Sequence, residues 1–228
     1  MSKSDDDDPD YLGHRKRLRA RFLQAPAALP DYELLEMLLA FVIPRQDTKP
    51  KAKKLLAEFG TLGDLSSADV QRLTDYGLSE TTVAMLKAVH AGSLRLARAE
   101  LRNRDALSSW DAVIGYCTAA MAYSPIEEFR ILYLDRKNGL IADEAQQRGT
   151  VDHTPVYPRE VVKRALELSA SALILVHNHP SGDPQPSQAD IDMTLQVQDA
   201  CAKLGLVLHD HVVIGRGRNA SFRSLGLL

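Results

Sequence analysis

The chain has 228 residues and a formal net charge of −2, and with 45% hydrophobic and 25% charged residues its composition is that of a soluble protein with a packed core. No apolar run approaches the roughly 20 residues of a membrane span, and the acidic start lacks the apolar region of a secretory signal, so we expect no membrane association. Two isolated cysteines, Cys117 and Cys201, make a poor disulfide framework and favour a cytoplasmic location.

The first part of the chain is predicted to be helical. Residues 1–10 contain a run of aspartates and are predicted to form a disordered acidic tail. Residues 11–102 are predicted to form an all-helical domain. Its helices are expected at 32–40, at 49–59, in a short segment from Ser67, and from Ser79 toward Leu101.

The helical part is basic, with 16 Lys and Arg against 10 Asp and Glu in residues 11–104. The positive charge is densest at 15–21, where Arg15, Lys16 and Arg17 stand in sequence. A basic half favours contact with DNA. A solvated helix face beside an acidic tail is an equally good interpretation.

Gly77 lies between two predicted short helices, in the sequence Tyr76-Gly77-Leu78. This pattern resembles a helix-hairpin-helix, in which backbone N–H groups of the glycine turn contact a DNA phosphate. Asp75 beside the turn would repel a phosphate. A plain helix connection with a left-handed glycine is the alternative.

Strand patterns begin after residue 103, and residues 105–228 are predicted to form a second domain. A helix from Ser109 is followed by predicted strands at 129–134, 139–145, 146–151, 172–178 and 206–215 and by helices from Pro158 and over 188–203. Asn138-Gly139 between apolar runs is a hairpin signal. Helices mixed with a largely antiparallel or mixed sheet predict an α/β or α+β sandwich.

A metal site is predicted where the apolar run 172–176 ends. His177 and His179 stand at i and i+2, which places both imidazoles on one face of a strand. A loop rich in Pro and Gly leads to Asp190, in the first turn of the next predicted helix. Two nitrogens and one carboxylate oxygen would leave a fourth tetrahedral position for water, which is typical of hydrolytic zinc centres.

Ser187 and Asp190 also form a capping box of the Ser-x-x-acid kind. Ser187 can cap the helix through its hydroxyl while Asp190 points at the ion, so the two interpretations coexist. Asn178 and Ser181 are expected to orient the ligand loop by side-chain hydrogen bonds. His209 and His211 form a second His-x-His that could bind metal on spacing alone. Asp210 or His211 could instead orient a ligand imidazole.

The spacing His-x-His, seven residues, Ser, two residues, Asp resembles the JAMM motif of MPN domains. More closely, the chain resembles the RadC family of bacterial proteins, also called the UPF0758 type. The matching segments are 129–135, 149–150, 158–166, 177–182, 210–211 and 221–222.

The resemblance implies a helical bundle with a helix-hairpin-helix-like segment, followed by a JAMM/MPN-like (cytidine-deaminase-like) sandwich of sheet and helices. It implies Zn²⁺ held by His177, His179 and Asp190, and hydrolysis of a peptide or isopeptide bond in a peptide or protein substrate. Glu127 matches the family's general base, and Ser187 matches the serine that helps to polarise the carbonyl.

Three alternatives stay open. Glu128 competes with Glu127, because alternation puts the two on opposite faces, and both could be solvated charges. The protein could instead be a DNA repair or recombination factor whose metal site is structural or acts on nucleic acid. It could also be a scaffold that binds zinc without turnover.

Overall fold

Helices occupy the first half of the chain, and a five-stranded sheet with helices on both faces occupies the second. The structure is a computed structural model that describes residues 10–102, 105–148 and 156–228. The chain divides into two compact units, residues 1–91 and 92–228. The division falls inside a helix, earlier in the chain than the predicted boundary near residue 102. The predicted acidic tail lies outside the described residues except for Asp10.

The first unit is built from short helices. They are α1 (Asp10–Gln24), a 3-10 turn (Pro26–Ala28), α2 (Asp31–Val42), α3 (Lys49–Phe59), α4 (Leu62–Ser67), α5 (Val70–Asp75) and the first part of α6 (Glu80–Arg102). Leu35, Leu39, Leu55, Leu65 and Leu86 are fully buried and form the centre of its core.

The helices predicted at 32–40 and 49–59 are confirmed, and the one predicted from Ser67 is wrong. A capping box between Thr61 and Asp64 starts α4, and Ser67 is its last residue. The next helix starts after Asp69, whose side chain accepts from the N–H of Gln71. Two good N-caps therefore divide this segment into two helices, and the serine does not begin one.

The second unit contains one mixed sheet. Its strands are β1 (Glu128–Leu134), β2 (Leu140–Arg148), β3 (Ala172–Asn178), β4 (Val207–Ile214) and β5 (Asn219–Ser221), in the order β2-β1-β3-β4-β5. β3 is central, antiparallel to β1 and parallel to β4. The other two pairs, β1 with β2 and β4 with β5, are antiparallel. The predicted sandwich of a mixed sheet and helices is confirmed.

Helices cover both faces of this sheet. The helix α7 (Trp110–Met121) packs on one face, against residues such as Leu132, Ile174 and Val212. The helices α8 (Pro158–Glu167) and α9 (Gln188–Lys203) pack on the other, against Phe129, Leu173 and Leu175. Because both faces are covered, β3 is buried along its whole length.

The predicted Asn-Gly hairpin is confirmed, since β1 and β2 pair antiparallel and Asn138 takes a φ of +59° in the turn between them. The separate strand predicted at 146–151 is wrong, because residues 146–148 continue β2. Residues 149–151 lie outside the described part of the chain. The short strand β5 was not predicted.

Both cysteines are buried and free. Burial raises the pKa of Cys201 to about 11 and that of Cys117 to about 12, so neither thiol is ionised near neutral pH. Each thiol fills space in a core cluster as a small apolar group. In the part of the chain that the structure describes, no helix combines the length and apolar character of a membrane span.

Candidate metal centre

His177 and His179 come from the end of β3, the central strand. His177 is fully buried, on the sheet face that packs against α9. His179 follows the strand, and its backbone N–H donates to the carbonyl of Ile214 at 3.0 Å, so the chain stays paired to β4 beyond the last strand residue. The two Nε2 atoms lie 3.0 Å apart. The predicted placement of both rings on one face is what the structure shows.

Asp190 comes from the first turn of α9. Its N–H donates to Ser187 Oγ, and its Oδ2 accepts from the Ser187 N–H at 2.7 Å and from the Ser187 hydroxyl at 2.6 Å. The predicted capping box is therefore present. It holds Asp190 Oδ1 at 3.5 Å from His177 Nε2 and Oδ2 at 3.8 Å from His179 Nε2. The cap and the metal-facing carboxylate coexist.

The two imidazoles and the carboxylate have spacings close to those of a tetrahedral site. Zinc bonds of about 2.0–2.2 Å place two tetrahedral ligand atoms about 3.4 Å apart. The two Nε2 atoms are 3.0 Å apart, and each has one oxygen of Asp190 nearby, Oδ1 at 3.5 Å from His177 and Oδ2 at 3.8 Å from His179. Among the described residues, His177, His179 and Asp190 are the His, Cys, Asp and Glu side chains that could together hold an ion.

Both histidines have a hydrogen-bond partner at Nδ1, and for His179 this partner directs the Nε2 lone pair toward the centre. His179 Nδ1 lies 2.7 Å from the carbonyl oxygen of Asp183, which can only accept, so this nitrogen carries the proton. His177 Nδ1 lies 2.8 Å from His211 Nε2. The two Nε2 atoms face each other at 3.0 Å, a contact that needs either a proton on one of them or a cation between them. The donor set therefore fits a divalent metal ion.

The charges agree with this arrangement. Burial alone would raise the pKa of Asp190, but the neighbouring imidazoles of His177 and His179 outweigh it and hold that pKa far below its usual range. The contact with Asp190 is the largest influence on the pKa of His179 and raises it against the effect of burial, and the Glu127 charge adds to the rise. Asp190 is therefore a carboxylate anion at neutral pH.

The ligand loop is fastened to the turn after β4. Gly182 has a φ of +86°, and its carbonyl accepts from the N–H of Arg216 at 3.2 Å. A Cβ on Gly215 would lie 2.4 Å from that same carbonyl oxygen, closer than any real contact. Ser181 Oγ accepts from the N–H of Asp183, as expected of a residue that orients the loop. Glycine at 215 therefore permits the close approach that positions His179.

Glu127 lies beside His179 and immediately before β1. The antiparallel register ends with the pair Phe129 and His177, and continued alternation puts Glu127 on the side of the chain that these two residues share. The Glu127 charge raises the His179 pKa, which agrees with a position on this side. Glu128 turns to the other face, where its carboxylate pairs with Arg130. This geometry favours Glu127 over Glu128 as the candidate general base.

Asn178, which lies between the two histidines in sequence, forms hydrogen bonds to the backbone on either side of Glu127. It is fully buried, its Oδ1 accepts from the Glu128 N–H at 2.9 Å, and its Nδ2 donates to the Ile126 carbonyl at 3.1 Å. We expected Asn178 to orient the ligand loop, and instead it fixes the backbone on both sides of Glu127. This role could not be predicted from the sequence, because it depends on which strand pairs with β3.

Ser187 is exposed, and its hydroxyl donates to Asp190 Oδ2. The capping role is thus present in the structure. A role in polarising a substrate carbonyl stays a prediction, and it requires the hydroxyl to turn from Asp190 toward the substrate.

The second His-x-His is divided by a β-bulge. The register between β3 and β4 shifts after Leu208, which pairs with Leu173, so His209 has no partner residue on β3. His209 Nε2 lies 2.8 Å from Asn138 Oδ1, whereas His211 turns to His177. A bulge redirects the side chains that follow it. The two histidines therefore do not share a site, and the expectation that His211 orients a ligand imidazole agrees with the structure.

Asp210 ties the end of the chain to β4. Its Oδ1 accepts from the Arg223 N–H and its Oδ2 from the Ser221 hydroxyl. This places the Phe222 ring over His211, with ring centroids 4.4 Å apart. Burial lowers the pKa of His211 well below its usual value, so that ring is neutral, with one donor and one acceptor nitrogen.

Three of the predicted DNA contacts lie on α1 in the first unit. Lys16 and Arg17 are exposed, but Arg15 is only 9% exposed and donates to the carbonyls of Ile43 and Gln46. These two bonds close the loop after α2, so the position of Arg15 is explained without any contact to a nucleic acid. DNA contact by Lys16 and Arg17 stays a prediction.

Gly77 is exposed and has a φ of +90°, as expected for a left-handed glycine between two helices. Its N–H donates to the Thr74 carbonyl at 2.8 Å, and the Leu78 N–H donates to the Leu73 carbonyl at 3.2 Å. These bonds complete the end of α5. The plain helix connection explains the glycine, and phosphate contact here stays a prediction.

Comparison with known proteins agrees with the geometry. A family model described as a RadC-like JAB domain matches residues 107–227. A UPF0758 protein of Rhodobacter capsulatus is 62% identical over 213 residues, which cover 92% of this chain and 100% of that protein. A UPF0758 protein of Ruegeria pomeroyi is 58% identical over 223 residues, or 96% of this chain and 100% of the relative. On this evidence, and with the predicted JAMM spacing present in its fold, the chain belongs to the RadC family and carries a JAB/MPN-type domain.

Proposed function

We propose that this protein is a zinc-dependent hydrolase that cleaves a peptide or isopeptide bond. The observation that carries the proposal is the convergence of two imidazole Nε2 atoms and one carboxylate, each pair 3.0–3.8 Å apart. Two nitrogens and one oxygen match the ligand type and number of hydrolytic zinc centres, which keep a fourth position open. The choice of a peptide or isopeptide bond rests on the family resemblance.

A bound zinc ion would acidify a water molecule and polarise the carbonyl of the substrate. Glu127 is on the same face as the ligands and is not itself one of the three, so its carboxylate is placed to accept a proton from the attacking water. It then returns that proton to the leaving amine, as a general base that becomes a general acid. Asn178 keeps the backbone around Glu127 in place through both bonds.

Glu127→Gln tests the base directly, with Glu128→Gln as the matched control. Glu128 is the adjacent carboxylate and faces away from the centre, so its replacement should leave turnover nearly unchanged. We expect Glu127→Gln to keep the metal, measured by elemental analysis, and to lose about 100-fold or more in turnover. Turnover is measured on substrates found in an unbiased peptide-library cleavage screen.

The outcomes separate the alternatives. Full turnover in Glu127→Gln would contradict the base assignment. Zinc in the wild type with no cleavage of any peptide or isopeptide would favour a scaffold that binds metal without turnover. Absence of zinc from the purified and reconstituted wild type would overturn the proposal itself.

Association with DNA is a second proposal, and it concerns the first unit. The exposure of Lys16 and Arg17 on α1, in a half of the chain with excess positive charge, is the observation that favours it. Such contacts to phosphates would give binding that weakens steeply with salt. This role is compatible with hydrolysis by the second unit.

A further inference from the structure

His177 does not receive its orientation from a carboxylate or a backbone carbonyl, the usual partners of a metal-binding histidine. Its Nδ1 lies 2.8 Å from His211 Nε2, and His211 Nδ1 lies 2.6 Å from Thr194 Oγ1. Thr194 Oγ1 in turn lies 2.5 Å from the backbone carbonyl of Asp190. The series of contacts thus begins at one predicted ligand and ends at the backbone of another.

The Asp190 carbonyl determines the direction of every hydrogen bond in this series. A carbonyl oxygen can only accept, so the single hydroxyl proton of Thr194 points to it. Thr194 Oγ1 must then accept from His211 Nδ1–H. A neutral imidazole carries one N–H, so His211 Nε2 is an acceptor and receives the proton of His177 Nδ1. The Nε2 of His177 is left with its lone pair toward the centre.

The opposite direction is excluded by the same contacts. If Thr194 donated to His211 Nδ1, the 2.5 Å contact between Thr194 Oγ1 and the Asp190 carbonyl would join two acceptors without a proton. His211 Nε2 would then carry the proton, and His177 would be protonated at Nε2, where a metal ion has to bind. The first direction satisfies every contact from Asp190 to His177 and leaves His177 Nε2 free to bind a metal ion.

Burial makes the series rigid. Thr194, His177 and His211 each have 0% exposure, so no bulk water replaces a lost partner. Phe222 stacks on the His211 ring at 4.4 Å, and Phe129 meets it edge-on at 5.5 Å. The ring is held on both sides and cannot turn without moving these neighbours.

We propose that Thr194 and His211 are positioning residues that hold His177 in the tautomer able to bind a metal ion. Thr194 lies on α9, the helix that also carries Asp190, and His211 lies on β4. The bonds Asp190–Thr194–His211–His177 therefore connect two predicted ligands by a route that does not pass through an ion. The inference rests on the metal-binding part of the proposed function and is independent of the hydrolytic part.

The first test is the zinc affinity of the full-length protein, measured by competition with a chelator. Thr194→Val keeps the shape of the side chain and removes the hydroxyl, and we expect it to weaken zinc binding about 10- to 100-fold. Thr194→Ser restores a hydroxyl and should restore wild-type affinity. Thr82→Val is the matched control, since Thr82 is also fully buried and hydrogen-bonded but lies in the first unit.

The second test is ¹⁵N NMR of the imidazoles in wild-type protein stripped of metal with a chelator. We expect His177 and His211 to be protonated at Nδ1. Protonation of His177 at Nε2, or equal zinc affinity of Thr194→Val and wild type, would overturn the inference. Because the spectrum needs no variant and no zinc, it tests the predicted tautomer of His177 even if Thr194→Val fails to fold. If the wild type binds no zinc, the proposed function fails while the tautomers still test this inference.

Discussion

Replacement of Asp190 by asparagine is the sharpest test of the metal centre, because it separates metal binding from folding. The asparagine Oδ1 can still accept from the Ser187 N–H, which lies 2.7 Å from the present Oδ2, so the start of α9 keeps a cap. Loss of charge assistance in those bonds should cost about 1 kcal/mol of folding free energy. The ion, in contrast, loses its anionic ligand.

The expected effect on zinc follows from the number of ligands. Structural zinc sites bind with about 10–16 kcal/mol over four ligands. An even share is about 3–4 kcal/mol per ligand, and each 1.4 kcal/mol corresponds to about tenfold in the dissociation constant. Asp190→Asn should therefore weaken zinc binding about 100- to 1,000-fold.

The assay is a zinc competition titration beside thermal unfolding, with Asp192→Asn as control. Asp192 is on the same helix and exposed, and its replacement makes the same change in net charge. We expect Asp192→Asn to bind zinc as the wild type does. Unchanged affinity in Asp190→Asn would refute its assignment as a ligand. Equal losses in both variants would show that net charge, and not coordination, determines the affinity.

Three further predictions concern other parts of the chain. Asn178→Ala removes both backbone bonds around Glu127, the proposed general base, so turnover should fall about 100-fold while zinc content, from elemental analysis, stays at the wild-type level; loss of zinc with turnover would contradict this. The hydrogen bonds of Arg164 lower the pKa of Glu144 below its ordinary 4.5, so this pair stabilises the fold above that pH and loses its effect as the pH falls through the lowered value. Denaturation should therefore show that Glu144→Gln has an unfolding free energy lower than that of the wild type by under about 1 kcal/mol at pH 7, and that this difference disappears in acid. A difference that stays constant with pH would be inconsistent with ionisation of Glu144 as its cause. Joint charge reversal of Lys16 and Arg17 should weaken DNA binding and reduce its salt slope by about 2, whereas an unchanged slope would exclude them as phosphate contacts.

The ligands of the centre could be predicted from the sequence because each depends on a local rule. Two histidines at i and i+2 share a face wherever a strand is formed, and β3 is such a strand. The capping box from Ser187 places Asp190 in the first turn of α9 through contacts that span only three residues. What joins the two elements into one site is the packing of α9 on the sheet, for which the apolar face of the helix was the signal.

The surroundings of the ligands could not be predicted, since they depend on neighbours distant in sequence. Thr194 reaches His211 only because β4 lies beside β3, and the signal available was its position four residues after Asp190, on the same side of the helix. The bulge after Leu208 reverses the side chains that simple alternation would give. Ser67 was misassigned for a local reason, because the caps at Thr61 and Asp69 on either side of it compete over a few residues.

The hydrogen bonds from Asp190 through Thr194 and His211 to His177 are complete within the polypeptide, so the pocket is assembled before any cation enters it. A pocket of two imidazoles and a carboxylate follows the general order of affinities for first-row divalent ions, in which Cu²⁺ exceeds Zn²⁺ and Mn²⁺ and Fe²⁺ are weaker. Preassembly offers no step at which a wrong ion is rejected. Which element a loaded pocket would hold is consequently decided by the supply of ions around the protein, and overproduction in media of different trace-metal content should change the occupant without changing the fold.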